Sequence, residues 1–139
     1  MAADAFVDTN VLLYSVSADP AEAGKRATAR KLLAGTGWGL SVQVLQEFYV
    51  NVVRPPVCAM SHADAVTAIR ELLRRPTVPT DAALVLEALR LSERYQISYW
   101  DAAIVAAART LGAGTLYSED LSHDQDYDGV RVVNPFLSR

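Results

Sequence analysis

One cysteine, Cys58, in a chain of 139 residues leaves no partner for an intrachain disulfide, and with two histidines the chain offers nothing resembling a zinc ligand set. His62 falls in a helix cap and His123 in an acidic turn. Neither has a nearby Cys or Ser arranged for nucleophilic catalysis, so both read as structural or exposed. The longest unbroken apolar run, AAIVAAA from Ala102, is far short of the roughly 20 residues of a membrane span. The first residues lack a basic stretch followed by an apolar segment. The expectation is a chain without a secretory signal, in a reducing, cytoplasmic setting and away from membranes. Repeats, linkers and low-complexity segments are missing too. What remains is a chain 51% apolar, long enough to bury roughly two-thirds of its unfolded surface in one domain over residues 1–139.

Short apolar runs alternate with helical spacing. AFVD and TLYS read as buried strands, and GLSV, PTVP and VRVVN as weaker ones. Between them, AEAGKRATARKLLAG reads as a helix opened after Pro20 and closed by Gly35. VLQEFYVNVVRPP puts Leu45, Phe48, Tyr49 and Val52 on one face before Pro55. SHADAVTAIRELLRRP starts with a Ser61 to Asp64 capping pattern, and DAALVLEALRLSERY carries its own apolar stripe. Strands alternating with helices predict an α/β fold with a central parallel sheet of about five short strands flanked by helices.

On this frame four acids stand out. Asp8 falls at the carboxyl end of the first strand, where open parallel sheets hold their ligand crevice, and Asp120 falls just past the end of another. Glu47 partly interrupts an apolar stripe. Asp101, in SYWDAAIVAAAR, begins a helix that is apolar nearly all round, so it points inward or along the edge of the core. Buried carboxylates are costly unless paired with a cation, and several in one crevice ask for a divalent ion. Each also has a plainer reading. Asp101 could partner Ser98 in a capping box, Asp8 could cap the helix near Asn10, Asp120 could be a turn residue and Glu47 a solvated helix residue. Two other signals fail. DQDYDG from Asp124 imitates an EF-hand, but Pro135 stands where the bidentate Glu belongs. GTGWG from Gly35 follows a helix rather than a strand, so it is a turn and not a dinucleotide loop.

The order VDTNVLLY, SVQVLQEFYV, SYWDAAIVAAA and LYSEDLSHDQDYDGVRVVNPF resembles the PIN domain, and specifically the VapC-type ribonuclease toxins of prokaryotic toxin–antitoxin pairs. The resemblance covers nearly the whole chain. It implies a three-layer fold and a metal-binding set of Asp8, Glu47, Asp101 and Asp120, supported by Asn10 and by Thr9 or Ser41. The last motif also offers Glu119, Asp124, Asp126 and Asp128, any of which could share or shift the fourth position. It further implies an endoribonuclease using Mg²⁺ or Mn²⁺ on single-stranded or looped RNA, leaving a 5′-phosphate and a 3′-hydroxyl. A homodimer and an inhibitory antitoxin with a basic tail are implied as partners. The chemistry is consistent: hard cations prefer oxygen ligands, they activate water, and two of them can clamp attacking and leaving oxygens together.

The net charge of −3 looks wrong for an RNA partner, yet setting aside the four proposed ligands leaves +1. Lys25, Arg26, Arg30 and Lys31 cluster on one helix and Arg70, Arg74 and Arg75 on another, where ordinary solvated faces are the plainer reading. A phosphoacceptor signalling domain also gathers acids at strand ends. It needs a lysine near the last strand, and Lys25 and Lys31 are the only lysines here. An RNA-processing PIN nuclease without an antitoxin, or a PIN-like module that binds without cutting, are the alternatives. The apolar residues between Ser61 and Tyr95 exceed what one modest domain need bury, which makes those helices the expected dimer contact.

Overall fold

The computed structural model describes residues 2–137. Six strands form one sheet in the order β3-β2-β1-β4-β6-β5: β1 Ala5–Val7, β2 Trp38–Ser41, β3 Thr77–Val78, β4 Thr115–Tyr117, β5 Asp126–Tyr127 and β6 Val130–Val133. All neighbouring pairs are parallel except β5 with β6. Six α-helices connect them: α1 Thr9–Ser15, α2 Ala23–Leu33, α3 Val42–Val52, α4 His62–Leu72, α5 Ala82–Tyr95 and α6 Tyr99–Leu111. The chain steps outward from β1 to β2 and β3, then returns to place β4 on the other side of β1. Right-handed crossovers therefore put α1–α4 on one face and α5–α6 on the other, giving three layers. No described helix is long and apolar enough to cross a membrane.

Helix ends follow their sequence signals. Ser41, Ser61, Asp81 and Ser98 each accept the backbone N–H three residues on, which satisfies donors that a helix start leaves orphaned. Gly112 closes α6 in the left-handed conformation. Ala102 to Ala108 are all buried, so α6 is the central helix of its layer, with the sheet on one side and α5 on the other. Gly39 of β2 fits where nothing larger would. A Cβ there would stand 2.6 Å from the Pro76 carbonyl oxygen and 2.8 Å from a Leu111 methyl.

The expected strands are all present, and a sixth joins them. Asp128 and Gly129, with φ of +53° and +97°, make a two-residue turn between β5 and β6, pairing Tyr127 with Val130. Asp-Gly is a strong signal for such a hairpin, because both central residues need positive φ. The segment that imitates a calcium loop is thus a hairpin, anchored by the Tyr95 hydroxyl and Arg90 (2.8 Å) on the Asp128 carboxylate, with Arg94 at 3.1 Å. Those three groups hold the Asp128 pKa down to about 2.

Candidate functional site

Chain direction reverses about the β1–β4 pair, so a crevice opens past their carboxyl ends, the usual ligand position in an open parallel sheet. Val7 pairs with Tyr117, and the Asp8 N–H extends that ladder to the Tyr117 carbonyl at 3.0 Å. This register sets Asp8 beside Ser118. The Ser118 hydroxyl donates to Asp8 Oδ2 at 2.8 Å, while Asp8 Oδ1 caps α1 by accepting the Thr9 N–H at 2.7 Å.

The next two residues reach two other elements. Thr9 Oγ1 donates to Glu47 Oε1 on α3 at 3.0 Å, and Asn10 Nδ2 donates to Asp120 Oδ2 in the β4–β5 loop at 3.1 Å. Asp8, Thr9 and Asn10 thus form a hub to which two segments, 38 and 110 residues distant in sequence, are held at one place. Asp120 is fixed again by its own N–H on the Ser118 hydroxyl oxygen at 3.1 Å. Asp101, half-buried on the first turn of α6, completes the set. Its N–H is accepted by Ser98 Oγ at 3.1 Å, so the same residue takes part in the cap that starts α6.

The electrostatics tie the four together. Burial raises the Asp8 pKa from 3.8 to about 7; the Ser118 and Thr9 donors oppose this, and the charges of Asp120 and Glu47 add to it. Burial also raises that of Asp101, with Asp120 again adding to the rise. Asp8 is 4% exposed, and both its described partners are neutral donors. A carboxylate in that setting is costly to ionise until a cation approaches it. Every donor in the set is a carboxylate oxygen, which suits a hard divalent ion. Among the described residues no three Asp, Glu, His or Cys side chains are gathered closely enough to hold an ion as they stand.

A family model for the PIN domain matches residues 5–125. The chain belongs to the PIN domain family. No curated protein sequence matches it. Among solved structures, Mycobacterium tuberculosis VapC20, described as a toxin that cleaves the sarcin-ricin loop, is 27% identical over 84% of this chain and 89% of its own, with a TM-score of 0.67. A toxin–antitoxin complex from Klebsiella pneumoniae superposes over 95% of this PIN domain and 98% of the other chain at 18% identity and TM-score 0.69. DNA-bound VapBC from Salmonella typhimurium does so over 95% and 97% at 15% identity and TM-score 0.64. The last two share the fold.

The rest of the last motif of this PIN domain turns away from the acid crevice. Glu119 accepts from Lys25 Nζ and from the Tyr14 hydroxyl, each at 2.6 Å, so it is committed to an ion pair on the far side of the loop. Asp124 is an exposed turn residue beside His123, Asp126 accepts the Gly129 N–H inside the hairpin, and Asp128 binds Arg90 and Arg94. Ser41 touches none of the acids: its hydroxyl accepts the Val44 N–H at 3.3 Å and so starts the helix that carries Glu47. Both histidines are structural, His62 on the Tyr49 hydroxyl and His123 accepting the Asn134 N–H. Several of the clustered cations are also engaged. Lys25 binds Glu119, Arg26 and Arg30 bond the Ser17 and Ser15 carbonyls, and Arg75 stacks over Trp38 at 4.0 Å. Sequence reasoning missed Ser118 and Gln43. Ser118, fully buried two residues before Asp120, touches two acids. Gln43, one turn before Glu47 on α3, reaches the Trp100 carbonyl at 3.3 Å.

Proposed function

We propose that this PIN domain is a metal-dependent endoribonuclease acting as the toxin of a toxin–antitoxin pair. One observation carries the reading. Asp120 and Glu47 add to the cost of ionising Asp8, Asp120 adds to that of Asp101, and among the described residues Asp8, the most buried of the four, has no cationic side-chain partner. The similarity to VapC20 supports RNA as the substrate class. These four side chains would hold Mg²⁺ or Mn²⁺, which when bound activates water and offsets the charge that grows on the phosphate and leaving oxygen. The protein's own part is positional. Ser118 fixes both Asp8 and Asp120, Thr9 orients Glu47, and Asn10 orients Asp120.

The partner reading rests on shape and charge. From Asn10, beside Asp120, a groove of about 770 Å³ runs past Leu13 and Tyr14 to the exposed Val57 and Cys58. An apolar segment of an antitoxin fits that groove, and an Arg or Lys on its tail would reach the carboxylates by paired hydrogen bonds. Association of two copies through α4 and α5 is consistent with Leu73, Leu86 and Leu89, each at least half exposed.

The test is cleavage of purified structured RNA. Activity is expected with Mg²⁺ or Mn²⁺, lost in EDTA and lost in Asp8→Asn; cleavage that survives EDTA would overturn the metal-dependent reading. Expressed alone, the wild-type chain is expected to stop growth, whereas Asp8→Ala is expected to be harmless.

A further inference from the structure

Trp100 is 66% exposed, whereas the other tryptophan, Trp38, is 5% exposed. No other large hydrophobic side chain of α6 is exposed. The exposed leucines and valines lie on α3, on α5, in the loops flanking α4 and near the C-terminus, so this indole is not part of an apolar face of its own helix. It sits immediately before Asp101 on the first turn of α6, at the rim of the acid crevice.

Its place is fixed from two sides. The Tyr99 ring meets it edge-on, with centroids 5.0 Å apart and planes at 84°. Its backbone carbonyl accepts from Gln43 Nε2 at 3.3 Å, and that buried amide also lies 3.5 Å from Glu47 Oε1. One side chain therefore links the backbone beneath the indole to an acid of the site. A large ring held in water this way serves no core and no ion pair.

We infer that Trp100 is a stacking platform for an unpaired nucleobase next to the bond that is cut. The inference rests on the ribonuclease reading and adds to it how an RNA strand is gripped. Every base has a π face, so an aromatic ring on the rim holds single-stranded RNA without reading its sequence, while the phosphates are left to the metal-loaded acids. An isolated indole beside carboxylates suits a base better than it suits a second copy of the chain, whose contact calls for a continuous apolar surface.

Binding of a nuclease-resistant phosphorothioate oligouridylate, followed by fluorescence anisotropy in Mn²⁺, tests this. Trp100→Ala is expected to raise Kd about 5- to 150-fold, with Trp100→Phe retaining most of the affinity and the melting temperature of both unchanged. Replacing uridines one at a time by an abasic nucleotide is expected to find one position that costs the wild type a similar factor and costs Trp100→Ala nothing further. Cleavage of the ordinary oligouridylate is followed beside it. Trp100-dependent binding with no cleavage of this strand or of structured RNA would sink the ribonuclease reading and leave the platform standing. Metal-dependent cleavage with unchanged affinity in Trp100→Ala would sink the platform alone. If Trp100→Ala lost affinity only in step with a halved mass in light scattering, the indole would be an interface residue and the inference would be wrong.

Discussion

Replacing Asp8 by Asn separates what the carboxylate does as a helix cap from what it does as a charge. Asn and Asp are equivalent as N-caps, so the amide oxygen can still take the Thr9 N–H. The Ser118 hydroxyl can turn its hydrogen elsewhere and accept from the new amide, as it already accepts from Asp120. What the substitution removes is a buried negative charge. With the Asp8 pKa raised from 3.8 to about 7, ionising it in the folded chain costs about 4 kcal/mol at about 1.36 kcal/mol per pH unit. The folded state holds the proton more firmly than the unfolded state. Wild-type stability in EDTA should therefore fall as pH rises from about 4 to about 7 and level off above that. Water reaching the crevice relaxes part of the penalty, so about 1–3 kcal/mol is the expected gain for Asp8→Asn at pH 8. For a domain of this size that raises the melting temperature by about 3–10 °C, with little difference at pH 4. Adding Mn²⁺ should then raise the wild-type midpoint by mass action and leave the variant unmoved. Thermal melts by circular dichroism at the two pH values, in EDTA and in Mn²⁺, measure all of this. A variant that melts below wild type at pH 8 in EDTA would refute the reasoning and make Asp8 a cap first and a charge second.

Two further outcomes follow from the same contacts. Ser118→Ala removes a hydroxyl that donates to Asp8 and accepts from Asp120, so it is expected to lose about 1–3 kcal/mol in urea melts and to weaken Mn²⁺ binding by about 10-fold or more in calorimetry. Unchanged metal affinity would show that the hydroxyl serves the fold alone. Gly39→Ala forces a methyl against the Pro76 carbonyl and Leu111 and is expected to cost about 1–3 kcal/mol, read as a lower urea midpoint. A shift under about 0.5 kcal/mol would mean that β2 and β3 separate easily.

What could be read from the chain and what could not divides by distance along it. The helix starts at Ser61 and Ser98 announce themselves within three residues, and both caps are formed. Asp8 at the end of an apolar run was legible because strand ends in parallel sheets carry ligand sites. Ser118 was not, since one serine among many gains its meaning only from a partner 110 residues away. The commitment of Glu119 to Lys25, 94 residues apart, was equally hidden, and it leaves Asp120 rather than its neighbour facing the crevice. The Asp128–Gly129 hairpin is the instructive omission. Its dipeptide is a local signal, but the acids around it invited a comparison with calcium loops, and the turn itself went unread. Ser41, which the resemblance offered as an alternative to Thr9, has its hydroxyl on the Val44 N–H at the start of the helix that carries Glu47.

Both margins of the sheet are short. β3 is two residues long between Pro76 and Pro79, and β5 is two residues long and folded back by its turn. An extended peptide needs a longer row of free backbone donors and acceptors to add itself as a further strand. Sheet extension is thereby closed to partner, substrate and sister molecule alike. The same truncation that guards this small, half-apolar chain against edge-to-edge aggregation confines recognition to grooves and helix surfaces, where side chains rather than backbone decide what binds.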